Sequence, residues 1–167
     1  MKIMFNLLLL GVNMAHRIVA HEGMKIIGVE LKTTMKDGPQ DIPIFWAKHF
    51  DEQTLDKIPN KVDPAVSYGI YTDYAQDGSY TLIIGMEVKS FETIPHGMIA
   101  KTIPAANYAL FTAKGPIHES VSKMWATIWN LPEIFTRRAF TFDFERYDQR
   151  ALQGDAAEVD IYIALKR

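Results

Sequence analysis

The chain has 167 residues, 48 % of them apolar, with a formal net charge of −2 and no cysteine. Its length suits one domain or two small fused halves around a sizeable core. The missing cysteine excludes disulfides, thiolate nucleophiles and cysteine-bound zinc, and it fits a reducing compartment, so a cytoplasmic location is expected. Acids and bases are interspersed. The paired bases, Arg137-Arg138 and Lys166-Arg167, fall far short of the basic stripe that nucleic acid requires, so no direct nucleic-acid partner is expected.

Residues 1–15 differ in character from the rest. Lys2 precedes an apolar run from Ile3 to Val12 that is too short to span a bilayer, so no membrane partner is expected. The run reads as a secretory leader cleaved after Ala15, as a segment packed on the domain, or as sequence upstream of a true start at Met14. Asn13 is a poor match to the small residue a cleavage site wants. The expected organisation is an N-terminal extension over 1–15 and a single domain over 16–167.

Within that domain the chain repeats itself. Lys25–Lys32 and Asn107–Lys114 both alternate as strands. Each is followed by a helix-like stretch with two aromatics four apart, Trp46 with Phe50 and Trp125 with Trp129. In the first helix Ile42, Phe45, Trp46, Phe50 and Leu55 form the apolar stripe, with Pro43 near its start. In the second the stripe is Ile117, Val121, Met124, Trp125, Ile128 and Leu131, with Pro116 in the first turn and Pro132 ending it. A hairpin follows each helix. The first pairs Ala65–Ala75 with Tyr80–Val88 around Asp77-Gly78, and the second pairs Phe140–Asp148 with Val159–Leu165 around a looser loop at Gly154. Equivalent positions lie roughly 80 residues apart, which marks a duplicated strand–helix–strand–strand unit. The halves are expected over about 16–91 and 97–167, joined through Glu92–His96. The expected fold class is α+β: two units merging their strands into one antiparallel sheet, with two long helices on one face and a cleft along the pseudo-twofold axis.

The stretch Thr141–Tyr147 is aromatic and alternating, a strand that places Asp143, Glu145 and Tyr147 on one face and Phe142, Phe144 and Arg146 on the other. A carboxylate among aromatics is costly to bury unless something pairs with it. Glu145 either meets a cation from outside or pairs with Arg137, Arg138 or Arg146 at the sheet surface. If the second hairpin folds about Gln153-Gly154, Glu145 lies opposite Tyr162 and Tyr147 opposite Asp160, a carboxylate flanked by two phenols. Trp46 and Trp125 hold equivalent places in the two repeats and are either pocket walls or core. Trp129 reads more readily as core, with a ligand contact as the alternative. Tyr71 shares its strand face with Ser67 and Gly69, small residues that leave room beside it.

Other chemistry is thin. His16, His21, His49, His96 and His118 show no metal-ligand spacing, and neither a nucleophile elbow, a phosphate loop nor a dinucleotide fingerprint occurs. No cofactor or metal is expected.

The ordered set Ile42-Pro43-Ile44-Phe45-Trp46, Tyr68-Gly69-Ile70-Tyr71, Gly85-Met86-Glu87-Val88, Trp125 with Trp129, Phe144-Glu145-Arg146-Tyr147 and Ile161-Tyr162-Ile163 resembles the GyrI-like domain. That domain is also the effector-binding module of AraC-type and MerR-type multidrug regulators. The resemblance runs from about His16 to the C-terminus. It implies a duplicated α+β fold with a pocket for amphipathic, often cationic, small molecules, and a buried glutamate on the penultimate strand that meets the positive charge; Glu145 carries that position. It thereby implies a binding protein for sensing or sequestration rather than an enzyme. The expected ligand contacts are Glu145, which the resemblance carries over, and Trp46, Trp125, Tyr71, Tyr147, Tyr162 and Trp129, which the pattern of the residues adds. Family members that hydrolyse reactive ligands imply the alternative of Glu145 as general base. Members that act on DNA gyrase imply a protein partner instead. Ala164 stands where the family often has proline, and Trp129-Asn130-Leu131-Pro132 is one residue longer than the common pattern.

Overall fold

The computed structural model describes residues 16–167, so the expectations for residues 1–15 lie outside the described part. In chain order the elements are β1 His16–His21, β2 Met24–Thr34, α1 Gly38–Asp51, β3 Ser67–Thr72, β4 Ser79–Glu87, β5 Ile99–Ile103, β6 Ala106–Lys114, α2 Ile117–Trp129, α3 Pro132–Arg137, β7 Asp143–Tyr147 and β8 Glu158–Ala164. The fold is α+β, with the strands in one eight-stranded sheet in the order β1-β6-β8-β7-β3-β4-β2-β5. Every neighbouring pair is antiparallel. The unit β2-α1-β3-β4 is repeated as β6-α2-β7-β8, and the halves meet where β3 pairs with β7.

β1 and β5 extend the repeat, and the sequence pattern did not reveal them. Only Glu22 and Gly23 separate β1 from β2, yet the two strands lie toward opposite ends of the sheet order. β1 pairs with β6 of the second half, and β5 pairs with β2 of the first. Each half therefore lends a strand to the other at a crossing. Gly23 is needed there: its φ is +90°, and a Cβ would lie 2.5 Å from the Ile103 carbonyl oxygen.

Alternation along the strands divides the core. The helix-facing side holds Phe111, Val121, Ile128, Ile161 and Ile163 in the second half and Val29, Leu82 and Ile84 in the first, the latter packed by Ile42, Phe45, Trp46 and Tyr71. The other side holds Ile26, Tyr68, Ile70, Ile83, Tyr108 and Phe144. In α1 the expected stripe holds at Ile42, Phe45 and Trp46 but fails at Phe50, which is 84 % exposed. The helix ends one residue later, the chain reverses at Gln53 in a left-handed conformation, and Leu55 packs from the following 3-10 turn, Thr54–Lys57. Pro132 does end α2 as expected, but it also opens the short helix α3.

The first hairpin turns at Asp77-Gly78, with Asp77 Oδ1 accepting from Ser79 N and Oγ. The second is not a tight turn. Asp148 caps the 3-10 turn Gln149–Leu152, and a further turn, Gly154–Ala156, completes the connection. These turns set the register one residue away from the expected one. Glu145 pairs with Ile161, and Tyr162 pairs with Phe144. A one-residue slip moves a side chain to the opposite face. Tyr162 is thus on the side away from Glu145, its ring stacked 4.5 Å from that of Phe144.

Candidate functional site

Glu145 sits at the centre of the sheet, where β7 pairs with β3 and its partner is Gly69. The absence of a side chain at Gly69 makes room for it: a Cβ there would lie 2.9 Å from Glu145 Oε2 and 3.1 Å from Trp46 Cζ2. The carboxylate is 2 % exposed. Three neutral donors hold it. Trp125 Nε1 donates to Oε1 at 2.7 Å, Tyr71 OH to Oε1 at 3.0 Å, and Tyr147 OH to Oε2 at 2.6 Å. Trp46 closes the group from α1, its ring centroid 5.4 Å from that of Tyr147, and Trp125 meets Tyr71 at 5.0 Å. The equivalent tryptophans of the two repeats therefore flank one carboxylate from opposite helices. These covering side chains are themselves only half-buried, so the carboxylate lies beneath a thin layer of rings.

Burial pushes the Glu145 carboxyl above its usual range, against the opposing pull of the hydrogen bonds from Tyr147, Trp125 and Tyr71. Burial also raises Tyr71 and Tyr147 far above the normal phenol value, and the Glu145 charge adds to it, so both stay protonated donors. No ion pair to Glu145 occurs among the described residues. The three arginines considered as partners are elsewhere. Arg137 is exposed, Arg146 pairs with Asp148 at 2.6 Å, and Arg138 pairs with Asp143 at 2.6 Å.

The contrast with Asp143, two residues earlier on the same strand face, is instructive. Asp143 is fully buried like Glu145, but it accepts from Arg138 Nη2, from Tyr74 OH at 2.7 Å and from the Ala164 amide at 2.8 Å. Its cation is built in, and Glu145 has none. The pattern of the sequence did not reveal the Arg138–Asp143–Tyr74 cluster, because Arg138 lies outside the strand that carries Asp143.

Trp129 is not part of the Glu145 group. Its ring lies 4.4 Å from the Arg138 guanidinium carbon, beside Phe135 and Phe140. Tyr162 is excluded by the register. A hollow of about 580 Å³ is lined by Trp46, His49, Leu55, Val66, Ser67 and Met86 among others, and Glu145 does not line it. Trp46 thus borders both that hollow and the group around Glu145. Among the described residues no group of three His, Cys, Asp or Glu side chains is placed to hold a metal, and no helix is long and apolar enough to cross a membrane.

Residues 17–165 match the family described as Cass2, integron-associated effector binding protein. The chain belongs to this family of effector-binding proteins. It is 32 % identical over 129 residues to YobU of Bacillus subtilis (strain 168), by name a transcriptional regulator protein, a match covering 75 % of this chain and 80 % of that one. It is 32 % identical over 160 residues to the transcriptional regulator BrlR of Pseudomonas aeruginosa, covering 92 % of this chain but only 56 % of BrlR. Among solved structures, the integron cassette protein VCH_CASS2 of Vibrio cholerae aligns with a TM-score of 0.69 and 25 % identity over 92 % of this chain and 97 % of that one. SAV2435, solved with tetraphenylphosphonium bound, aligns with a TM-score of 0.80 over 92 % of this chain and 94 % of that one; at 15 % identity it shows the shared fold.

Proposed function

We propose that this Cass2 protein binds amphipathic, aromatic cations at Glu145, between Trp46 and Trp125, and that it senses or sequesters them. One observation carries the reading. A carboxylate at the centre of the sheet is buried under aromatic side chains and is held by three neutral donors rather than by a cation. An unpaired buried charge is expensive, so in the free protein burial raises the carboxyl above its usual range and makes ionisation harder. A cation that displaces the covering rings would supply the missing charge, and each aromatic face would add about 0.5–2 kcal/mol by cation–π attraction. Trp46 is the natural side chain to move, because the hollow it also lines already provides space for an apolar body. The bound tetraphenylphosphonium in SAV2435, a protein of the same fold, supports this class of ligand.

The test is calorimetric titration with tetraphenylphosphonium and with the neutral triphenylphosphine oxide, on wild type and Glu145→Gln. The substitution keeps shape and removes charge, so it should weaken the cation by about tenfold or more while leaving the neutral compound nearly unaffected. Equal loss for both compounds would remove the charge-recognition role. The raised carboxyl also suits a general base toward a bound electrophile. Product formation on incubation with a reactive ligand separates that reading from simple binding.

A further inference from the structure

Two hollows occupy equivalent places in the two repeats. The first, of about 580 Å³, is lined by Trp46, Phe50, Pro64, Val66 and Ser67 among others. The second, of about 440 Å³, is lined by Tyr74, Ala75, Tyr80, Trp129, Phe135 and Phe140 among others. Phe50 follows Trp46 by about one helical turn, as Trp129 follows Trp125. Pro64 precedes Gly69 by as many residues as Phe140 precedes Glu145, and Gly69 and Glu145 are paired where the halves meet. Phe50 thus corresponds to Trp129 and Pro64 to Phe140, one member of each couple in each hollow. Along the chain through β3, the first hollow takes Val66 and Ser67, before Gly69, and the second takes Tyr74 and Ala75, after it. Each hollow is linked to the carboxylate by rings. Trp46 lines the first and stands 5.4 Å from Tyr147; Tyr80 lines the second and stands 6.0 Å from Tyr71. Tyr147 and Tyr71 both donate to Glu145, and they too are equivalent, each two residues after its member of the central pair. Both hollows also hold an uncovered apolar ring, Phe50 at 84 % exposure and Phe135 at 49 %. Large apolar side chains left open beside a hollow mark ground for an apolar partner.

We propose that the ligand is two-armed: one cationic centre for Glu145 and an aryl group for each hollow. The inference rests on the cation reading of Glu145 and adds the shape of the molecule. One carboxylate serves two equivalent hollows, because the repeat places Gly69 where its counterpart places Glu145. One charge with two apolar ends therefore matches the site better than a compact cation with a single ring. No charged side chain lines the second hollow, so the arm it takes is an unsubstituted ring, stacked among Tyr74, Trp129, Phe135 and Phe140. The arms are longer than a single bond to the centre, since one ring, Trp46 or Tyr71, intervenes on each side.

The probes are bis(3-phenylpropyl)dimethylammonium, with two arms, and (3-phenylpropyl)trimethylammonium, with one. Both carry a single permanent positive charge, and the propyl spacer takes a ring past one intervening side chain. In nitrogen-15-labelled protein the three tryptophans each give an indole N–H signal, assignable by substitution. The two-armed compound should move all three, Trp46 and Trp129 through the hollows they line and Trp125 through Glu145. Phe50→Ala and Phe135→Ala remove exposed rings, so both should fold, and each should weaken the two-armed compound about threefold or more. The one-armed compound fills one hollow at a time, so at least one of these variants should leave its affinity within about twofold of wild type. The proposal is overturned if the Trp129 signal stays put, if either variant leaves the two-armed affinity unchanged, or if both variants weaken the one-armed compound as much as the two-armed one. Glu145→Gln separates these failures from failure of the cation reading. Weaker binding of both compounds in Glu145→Gln, with no effect of Phe135→Ala, keeps the charge role and removes the second arm. Unchanged binding of both in Glu145→Gln removes the charge role, and this proposal with it.

Discussion

Gly69→Ala probes the central packing most sharply. The added methyl would stand 2.9 Å from Glu145 Oε2 and 3.1 Å from Trp46 Cζ2, inside normal contact distance for both. The carboxylate has little freedom to retreat, since three hydrogen bonds between 2.6 and 3.0 Å fix its two oxygens. Overpacking of this kind costs about 1–3 kcal/mol, and the lower chain entropy of alanine in the unfolded state offsets about 0.4–1 kcal/mol, leaving a net loss of about 1–2 kcal/mol. For a chain of this size that is about 2–8 °C in Tm, measurable by urea and thermal unfolding. The decisive form is a double-mutant cycle with Glu145→Ala. With the carboxylate gone the methyl has a place to go, so the cost of Gly69→Ala should fall by half or more. An equal cost in both backgrounds would refute the argument that the carboxylate occupies the space above Gly69.

Glu145→Gln should raise stability at about pH 8, because the folded-state carboxyl sits above its unfolded value and the wild type loses stability as pH rises through that range. The two proteins should converge below about pH 4, where the carboxyl is protonated in both states, and thermal unfolding across pH reads the difference. Tyr147→Phe removes the 2.6 Å hydrogen bond to Oε2 and should cost about 1.5–3 kcal/mol near neutral pH, and less in acid, by urea denaturation. Arg138→Met leaves Asp143 buried without its cation and should cost about 3–5 kcal/mol, much of it recovered in the Arg138→Met, Asp143→Asn double variant.

Much of the architecture was legible from pattern alone. Periodicity located α2 and the two halves of the duplication, and alternation put Glu145 and Tyr147 on one face. The edge strands β1 and β5 were not legible because their pairing partners belong to the opposite half of the chain, a relation that local alternation cannot express. The face of Tyr162 failed for a different reason. Its side depends on how many residues the β7–β8 connection absorbs, and a chain turning through two 3-10 segments differs in register from one turning at Gln153-Gly154. At the candidate site, Gly69 and the equivalent tryptophans on the two helices, all picked out by pattern, lie beside Glu145 in the fold. Which arginine paired with which carboxylate was not readable, since Arg138, Asp143 and Glu145 lie within a few residues of each other and only the path of the chain after α3 brings Arg138 to Asp143.

The most direct measurement of the central claim is the proton balance of cation binding. Titration calorimetry with tetraphenylphosphonium, in buffers of different ionisation enthalpy and across pH, counts the protons released. Recognition by a buried carboxyl with a raised pKa predicts release approaching about one proton per cation in acid, with affinity rising as pH rises and then levelling once Glu145 is ionised in the free protein. Affinity independent of pH, with no proton released and the same value in Glu145→Gln, would contradict it.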